Sequence, residues 1–254
     1  MKITTLYKLY LSTYLSHPFF DQAALKGLKE EIFSKYEIQL SEFKETIDRV
    51  DQISLQSNNY NGRTLLSPFF ELINEPENRK RKFVPFTTLS IKPVKGEDRA
   101  AVEAGFEHHI QRFAFKMEEL NRLNFELPVF YSKFQLLCKA YLSSINCGYS
   151  THLKKVNDPR FDVIDLFHYL KNQAALACCI KWGDPNFPFS IWCCDISGIQ
   201  KFIYAIHSSK ALVSLKGRSF FLHLLLDSIQ KKITDRILGT RNSTNLIYSS
   251  GGKF

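Results

Sequence analysis

Residues 187–204 read FPFSIWCCDISGIQKFIY, and this stretch decides the fold predicted for the C-terminal part of the chain. In its first half, apolar side chains at positions 187, 189, 191 and 193 alternate with their neighbours, which is the period of a β-strand. Asp195 ends that predicted strand. Ser197 and Gly198 are typical of a tight turn, and the apolar residues that follow predict a short helix over Ile199–Ile206.

The residues after this stretch predict a long helix and a second strand. Apolar side chains recur along one face from Ser214 to Leu238, and Gly239 is a suitable residue to end that helix. Asn245–Tyr248 is predicted to be the second strand, and it leads into a glycine-rich hairpin, SSGGKF, at 249–254. Strand, acidic residue, glycine turn, helices, strand and hairpin follow one another in the palm domains of nucleotidyl-transferring enzymes.

This order predicts a nucleotide site between the turn and the hairpin. Backbone N–H groups of a turn at a helix start can bind phosphate, and glycines let the backbone approach a nucleotide closely. Asp195 is also the candidate metal ligand; the alternative is that it only caps the next helix. Arg218 and Ser219, predicted to open the long helix, either contact phosphate or brace the fold. The candidate nucleotide-binding residues are Asp195, Ser197, Gly198, Ile199, Gln200, Arg218, Ser219, Gly251 and Gly252.

The part of the chain before residue 183 is predicted to be helical, because apolar residues recur there every three or four positions. We therefore divide the chain into a helical region, 1–182, and the front part of a palm, 183–254, and expect an α+β fold. A capping-box pattern at Ser41 predicts the start of the third helix. The other helices are predicted over Ile3–Tyr14, Phe20–Leu40, Glu97–Asn124, Pro128–Ile145 and Asp162–Trp182.

One basic run interrupts the helical region. Arg79–Lys82 carries four consecutive cations and is followed by Phe83–Ile91, whose alternation of apolar residues predicts a strand. Basic residues beside phenylalanines can line a nucleic-acid groove. A solvated loop before an edge strand is the alternative interpretation.

Composition indicates a globular protein, and its basic charge suits a phosphate-rich partner; a basic surface that serves solubility is the alternative. Hydrophobic residues make up 44% of the chain, and the formal net charge is +9. The sequence contains neither an apolar run of membrane-spanning length nor a signal-peptide pattern, so we expect no membrane partner and a cytoplasmic location. None of the six cysteines shows zinc-site spacing, and we expect them to be reduced thiols.

Three motifs resemble, in the same order, those of the large palm-containing subunit of type III CRISPR–Cas interference complexes, in its III-A form. A fourth segment resembles the helix that closes the HD nuclease domain of that family. The three motifs are DISGIQKFIY at 195–204, LKGRSF at 215–220 and NLIYSSGGKF at 245–254; the fourth segment is DVIDLFHYLKNQAALA at 162–177.

The resemblance implies a helical HD-like region followed by a ferredoxin-like palm. It further implies a role in antiviral defence, with other complex subunits as partners and contact with guide and target RNA through the complex. Members of this family cut single-stranded DNA with the HD domain and make cyclic oligoadenylate from ATP with a second, GGDD-bearing palm.

The sequence departs from this family in two ways. It contains no adjacent His-Asp pair, so we expect a degenerate HD domain, and Asp165 near His168 is the nearest substitute. Only the first half of one palm is present, so we assign no catalytic residue and expect ATP and Mg²⁺ to bind only with a completing palm. The alternatives are a cyclase or single-strand nuclease that acts through a partner chain, and a stand-alone nucleotide-binding regulator related to GGDEF palms.

Overall fold

The structure is a computed structural model that describes residues 2–54, 84–88, 99–148, 164–205, 211–240, 242–249 and 253–254. Within these ranges, regular structure consists of α-helices and two short 3₁₀ turns, at Pro18–Asp21 and Leu40–Glu42. The helices are α1 (Ile3–Leu15), α2 (Ala23–Lys35), α3 (Lys44–Ile53), α4 (Arg99–Arg122), α5 (Leu127–Leu142), α6 (Leu166–Trp182), α7 (Ile199–Tyr204) and α8 (Ala211–Leu238).

Helices α1, α2, α4, α5 and α6 enclose a large aromatic core, and α3 packs with α1 and α6 around a second, smaller cluster; we call α1 to α6 the helical body. Helix α1 packs against α6 and α5, while α4 packs against α2 and α5. Tyr10 stacks on Tyr131 with ring centroids 5.4 Å apart, and Tyr14 meets Phe134 edge-on at 5.6 Å. All four rings are almost completely buried. Because aromatic side chains bury the largest apolar areas, this cluster supplies much of the stability of the helical body.

The segment between α8 and the C-terminal residues returns to the helical body and is held there by side-chain hydrogen bonds. The Tyr7 hydroxyl pairs with Thr240 Oγ1 at 2.5 Å, and the Tyr10 hydroxyl donates to Asn245 Oδ1 at 2.5 Å. Thr244 Oγ1 pairs with the Tyr131 hydroxyl at 2.8 Å. We call residues 240 and 242–246 the tether, because they fix the end of α8 to α1 and α5.

The helical prediction for the first region is confirmed in its main features, with two differences at helix ends. The second helix, predicted over Phe20–Leu40, spans Ala23–Lys35, because Phe20 and Leu40 lie in 3₁₀ turns. The third helix begins after Phe43, whose side chain makes no capping hydrogen bond, so the capping box predicted at Ser41 is wrong. Residues 40–42 instead form a 3₁₀ turn, with Phe43 fully buried behind it. Burial of Phe43 therefore decides this helix start in place of a side-chain cap.

The two strands predicted for the C-terminal part are not strands in the described residues. Phe187 lies in a bend, residues 188–193 have no regular structure, and 245–248 form a turn and coil. A strand requires a hydrogen-bonded neighbour along its length, and the pairing found is a single antiparallel bridge from Asp195 to Lys253. The helical part of the α+β prediction is confirmed, whereas the palm and the boundary at residue 183 remain predictions.

Two further predictions are limited by the described ranges. The basic run Arg79–Lys82 lies outside them. Residues 84–88, which belong to the strand predicted over Phe83–Ile91, form no strand.

Among the described helices, we find none that combines the length and the apolar character needed to cross a bilayer. All six cysteines are free thiols, three of them buried: Cys138, Cys147 and Cys178.

Candidate functional site

The glycine turn predicted after Asp195 is present. Gly198 has a φ of +77° and is the N-cap of α7, and its carbonyl accepts the Phe202 N–H at 3.0 Å. This left-handed backbone conformation favours glycine, which explains why Gly198 rather than a larger residue turns the chain. Asp195, Ser197, Gly198 and Gln200 are exposed, and Ile199 is half-buried.

The same turn lies next to the C-terminal residues of the described chain. The Cys194 N–H donates to the Phe254 carbonyl at 2.8 Å, and the Phe254 N–H donates back to the Cys194 carbonyl at 3.0 Å. Asp195 therefore lies opposite Lys253 in an antiparallel bridge. The predicted proximity of the turn and the hairpin segment is confirmed for Lys253, whereas Gly251 and Gly252 lie outside the described residues.

Arg218 and Ser219 do not open their helix, contrary to the prediction. Helix α8 begins at Ala211, because Ala211, Leu212 and Val213 extend the helical run upstream. A residue this far into a helix donates its backbone N–H to the preceding turn, so neither residue offers a free N–H to phosphate. Only the Arg218 guanidinium and the Ser219 hydroxyl are available to a ligand.

The Arg218 guanidinium joins α8 to α7. It donates a hydrogen bond to the Phe202 carbonyl, and its carbon lies 5.3 Å from the centroid of the Phe202 ring. Phe221 of α8 packs on the same ring at 6.0 Å. Two roles were predicted for Arg218, and these contacts fit the second of them, bracing of the fold.

The residues present supply only part of what a metal-bound triphosphate needs. Asp195 is a single carboxylate, and the described residues hold no group of three or more His, Cys, Asp or Glu side chains placed to ligate a metal ion. A Cβ added at Gly198 would meet no atom of the described residues within 4 Å, so these residues leave the space beside the turn open. Asp195 could serve as one metal ligand, and further ligands would have to come from elsewhere.

An aspartate and a histidine lie close together at the start of α6. Asp165 Oδ1 accepts the His168 N–H at 2.9 Å, as an N-cap, and Asp165 Oδ2 lies 2.7 Å from His168 Nδ1. The carboxylate therefore both caps the helix and orients the exposed imidazole ring. This is the pair predicted as the nearest substitute for the missing His-Asp motif.

The extended segment at 187–192 exposes large apolar side chains to solvent. The exposed fractions are 82% for Phe187, 78% for Ile191 and 71% for Trp192. Phe220 and Phe221 of α8 are also more than half exposed. Contiguous exposed apolar groups of this size mark interaction surfaces rather than ordinary solvent-facing residues.

The buried position of the tether was not predicted from the sequence. Its residues are short and polar, and TRNSTN reads as an ordinary surface loop. Thr240, Asn242 and Thr244 are nevertheless buried, and the Asn242 side chain accepts from the Thr244 N–H at 2.6 Å. The available signal was the set of tyrosines on α1, since a buried Tyr hydroxyl requires a polar partner.

Comparison with known proteins identifies what this chain is similar to. Residues 188–254 match the family model described as Csm1 subunit domain B. The curated relatives are named CRISPR system single-strand-specific deoxyribonuclease Cas10/Csm1 (subtype III-A). The relative from Methanocaldococcus jannaschii is 39% identical over 65% of this chain, and that from Mycobacterium tuberculosis is 36% identical over 35%.

A third relative, from Streptococcus thermophilus, is 28% identical over 66% of this chain. The matched parts cover 24%, 13% and 22% of the length of these three relatives, in the order given. The chain thus spans less than a quarter of the curated proteins that it matches. The resemblance to the III-A large subunit that the sequence motifs predicted is confirmed.

Proposed function

Because this chain resembles part of the Cas10/Csm1 subunit of subtype III-A CRISPR systems, we propose that it acts in a type III interference complex. Its role there is to contact the neighbouring subunits and, through them, the guide RNA and its target. The activity belongs to antiviral defence. The match of residues 188–254 to Csm1 domain B is the observation that carries the proposal.

The exposed apolar side chains support an assembly role. Phe187, Ile191 and Trp192 lie in a segment without regular structure, in which the Phe187 N–H donates to Asp184 Oδ1 at 3.3 Å. Among the described residues, the segment forms no strand pair before Cys194, so its backbone can add a strand to another chain. We therefore assign the segment 187–192 as the surface that a complex partner covers.

We also propose that the turn at 195–200 forms part of an ATP site. Asp195 would hold Mg²⁺, while Ser197, Gly198, Ile199 and Gln200 would present backbone donors to the phosphates together with Gly251 and Gly252. Arg218 and Ser219 would add a guanidinium and a hydroxyl. Since the described residues supply one carboxylate only, binding requires a palm that completes the site, and the chain by itself is not expected to make cyclic oligoadenylate.

Co-expression tests the assembly role. The full chain, carrying an affinity tag, is produced with the small and backbone subunits of a III-A complex and a guide RNA, and the purified species is sized by light scattering. We expect one defined complex that contains RNA. Recovery of the chain without any of these subunits, at moderate salt, would contradict the proposal.

A pair of matched variants locates the contact. Ile191→Asp places a charge on the extended segment and should abolish association, because a buried interface does not tolerate an unpaired carboxylate. Leu136→Asp makes the same change at an exposed apolar position of α5 and should leave association intact. Equal effects of the two variants would show that the segment 187–192 has no particular role.

The nucleotide site is tested in the assembled complex by binding of a fluorescent ATP analogue. Asp195→Asn removes the metal-binding charge with little change in shape and should weaken Mg²⁺-dependent binding by at least about tenfold. Asp184→Asn, in the exposed turn before the extended segment, is the control. Unchanged binding by Asp195→Asn would refute the nucleotide proposal and leave the assembly proposal standing.

A further inference from the structure

Two cysteines that are adjacent in the sequence, Cys193 and Cys194, lie between the apolar segment 187–192 and the glycine turn. Cys193 is the one exposed cysteine among the six, and Cys194 is half-buried. No role assigned above uses either thiol. An accessible thiol with a second thiol beside it is the arrangement of redox-sensing sites, because the first thiol reacts with the oxidant and the second resolves the product.

The backbone differs on the two sides of this pair. Residues 188–193 are held in neither a helix nor a strand. On the other side, the Cys194 N–H donates to the Phe254 carbonyl at 2.8 Å, and the Phe254 N–H donates back at 3.0 Å. These two bonds place Asp195 opposite Lys253. A change of the backbone at Cys194 therefore alters the position of Asp195 relative to Lys253.

A disulfide between adjacent residues requires such a change. Consecutive Cα atoms are about 3.8 Å apart across a trans peptide, which is shorter than the roughly 4.4–6.8 Å that disulfides usually span. Closing the bond therefore twists the peptide that joins Cys193 to Cys194. The Cys194 N–H belongs to this same peptide, so its hydrogen bond to the Phe254 carbonyl is lost. A bond formed under strain is also easily reduced, so the change is reversible.

The chain contains a second adjacent pair, Cys178 and Cys179, that lacks these properties. Both residues lie inside α6, and the Cys179 carbonyl accepts the Gly183 N–H at 2.6 Å, so helical hydrogen bonds hold this backbone. Burial raises the pKa of the Cys178 thiol to about 11 and also raises the pKa of Cys179. Because the thiolate is the species that attacks a disulfide, this pair is expected to stay reduced and is an internal control.

We propose that Cys193 and Cys194 form a thiol–disulfide exchange site, at which a small disulfide of the glutathione type joins the two cysteines and thereby separates Lys253 from Asp195. The Cys193 thiolate attacks one sulfur of the small disulfide, and the released small thiolate takes up the proton that Cys193 lost. The Cys194 thiolate then attacks Cys193 Sγ, and the second small thiolate takes up the Cys194 proton. The protein loses two hydrogen atoms, and the small disulfide becomes two thiols.

The site is tested by incubating the full chain at increasing ratios of oxidised to reduced glutathione, then unfolding it, alkylating the remaining thiols and analysing tryptic peptides by mass spectrometry. Peptide 182–201 contains Cys193 and Cys194, and peptide 172–181 contains Cys178 and Cys179. We expect the first peptide to lose two hydrogen atoms and the second to be alkylated at both thiols. Full alkylation of both peptides at every ratio would overturn the proposal, as would a disulfide from Cys193 to any other cysteine.

Matched variants assign the two steps. Cys194→Ser should stop the reaction at the mixed disulfide on Cys193, because the resolving thiol is gone. Cys193→Ser should lower modification of peptide 182–201 at least about tenfold, because the accessible thiol is gone. Cys179→Ser removes a half-buried thiol from α6 and should leave the yield unchanged. Equal yields for Cys193→Ser and Cys179→Ser would contradict the assignment of Cys193 as the attacking thiol.

Amide hydrogen exchange of the oxidised and the reduced chain tests the structural consequence. Exchange of the Cys194 and Phe254 N–H groups should be at least about tenfold faster in the oxidised chain, because their mutual hydrogen bonds are lost. The Gly183 N–H, bonded within the end of α6, is the control and should not change. Excess reduced glutathione should restore slow exchange. Unchanged exchange in a fully oxidised chain would overturn the proposed separation, and neither measurement depends on nucleotide binding or on assembly.

Discussion

The helical body and the C-terminal part differ in how far their apolar side chains are buried. In the helical body, Phe113, Phe130 and Phe134 are buried almost completely, whereas Phe187, Ile191 and Trp192 near the C-terminus are mostly exposed. The helical body thus encloses a well-packed core. The C-terminal part retains exposed apolar surface, which is the surface that we propose a complex partner covers.

The tether connects these two regions. Its threonine and asparagine side chains are buried among the tyrosines of α1 and α5, so the end of α8 is fixed to the helical body even though much of α8 is exposed. Any partner that covers the C-terminal part is thereby positioned relative to α1.

The largest effect is expected from the core of the helical body. Phe134→Ala should lower the free energy of unfolding by about 3–5 kcal/mol, because it leaves a cavity among buried rings. Phe187→Ala should change it by less than about 0.5 kcal/mol, since that ring is already in water. Urea unfolding followed by circular dichroism measures both, and similar losses for the two would eliminate the contrast between the regions.

The tether is tested at its most connected residue. Thr244 Oγ1 meets the Tyr131 hydroxyl at 2.8 Å and accepts from Gln135 Nε2 at 2.8 Å, and both partners are buried. Thr244→Val should therefore cost about 2 kcal/mol by leaving buried polar groups unpaired. Thr234→Val is the control, because its hydroxyl bonds only the Gln230 carbonyl within α8, and it should cost less than about 0.5 kcal/mol.

Stability of the helical body should also depend on pH through His17. Burial lowers the pKa of this imidazole from 6.5 to about 3, and its Nδ1 accepts the Phe19 N–H at 3.1 Å. The unfolded chain gains a proton as the pH falls below about 6.5 while the folded chain does not, so stability is lost between about pH 6.5 and pH 3. The expected slope is about 1.4 kcal/mol per pH unit for this residue.

His17→Asn should remove that contribution, because an asparagine oxygen accepts the same N–H without titrating. His109, whose pKa burial also lowers, keeps part of the pH dependence in the variant. His223→Asn makes the same replacement at an exposed histidine and is the matched control for the substitution itself. Thermal unfolding at pH 7.5 and 5.5 makes the comparison, and an identical pH dependence in wild type and His17→Asn would refute this account.

The smallest effect is expected at the glycine turn. Gly198→Ala should destabilise α7 locally by about 1–2 kcal/mol, because an L-residue is strained at a φ of +77° even though free space surrounds the new methyl group. Gly27→Ala, in the middle of α2 and equally unobstructed, should instead stabilise its helix by about 0.5–1 kcal/mol. Amide exchange of α7 and α2 reports each change, and the same sign at both sites would contradict the assignment.

Helices with a regular apolar period were predictable from the sequence, because burial of one face both forms and reveals them. The start of α8 was missed, since Ala211, Leu212 and Val213 extend the helix upstream of the start predicted at Ser214. The strands were predicted from alternation alone, yet alternation does not supply the neighbouring strand that a ladder needs.

The candidate site was predictable where backbone conformation limits residue choice, as at Gly198, and where motifs resemble a known family. Its completeness was not predictable, because Asp195 binds a metal only if other ligands converge on it in space. The tether was not predicted for a related reason. Its polar residues are buried where they hydrogen-bond to tyrosines that are more than a hundred positions away in the chain.

Amide hydrogen exchange of residues 187–193 tests the central claim most directly, measured once in the free chain and once in the co-expressed III-A complex. We predict exchange within seconds in the free chain and strong protection in the complex, as a partner strand pairs with this segment. Equally fast exchange in a complex that contains the chain would contradict the claim that these exposed residues form the assembly surface.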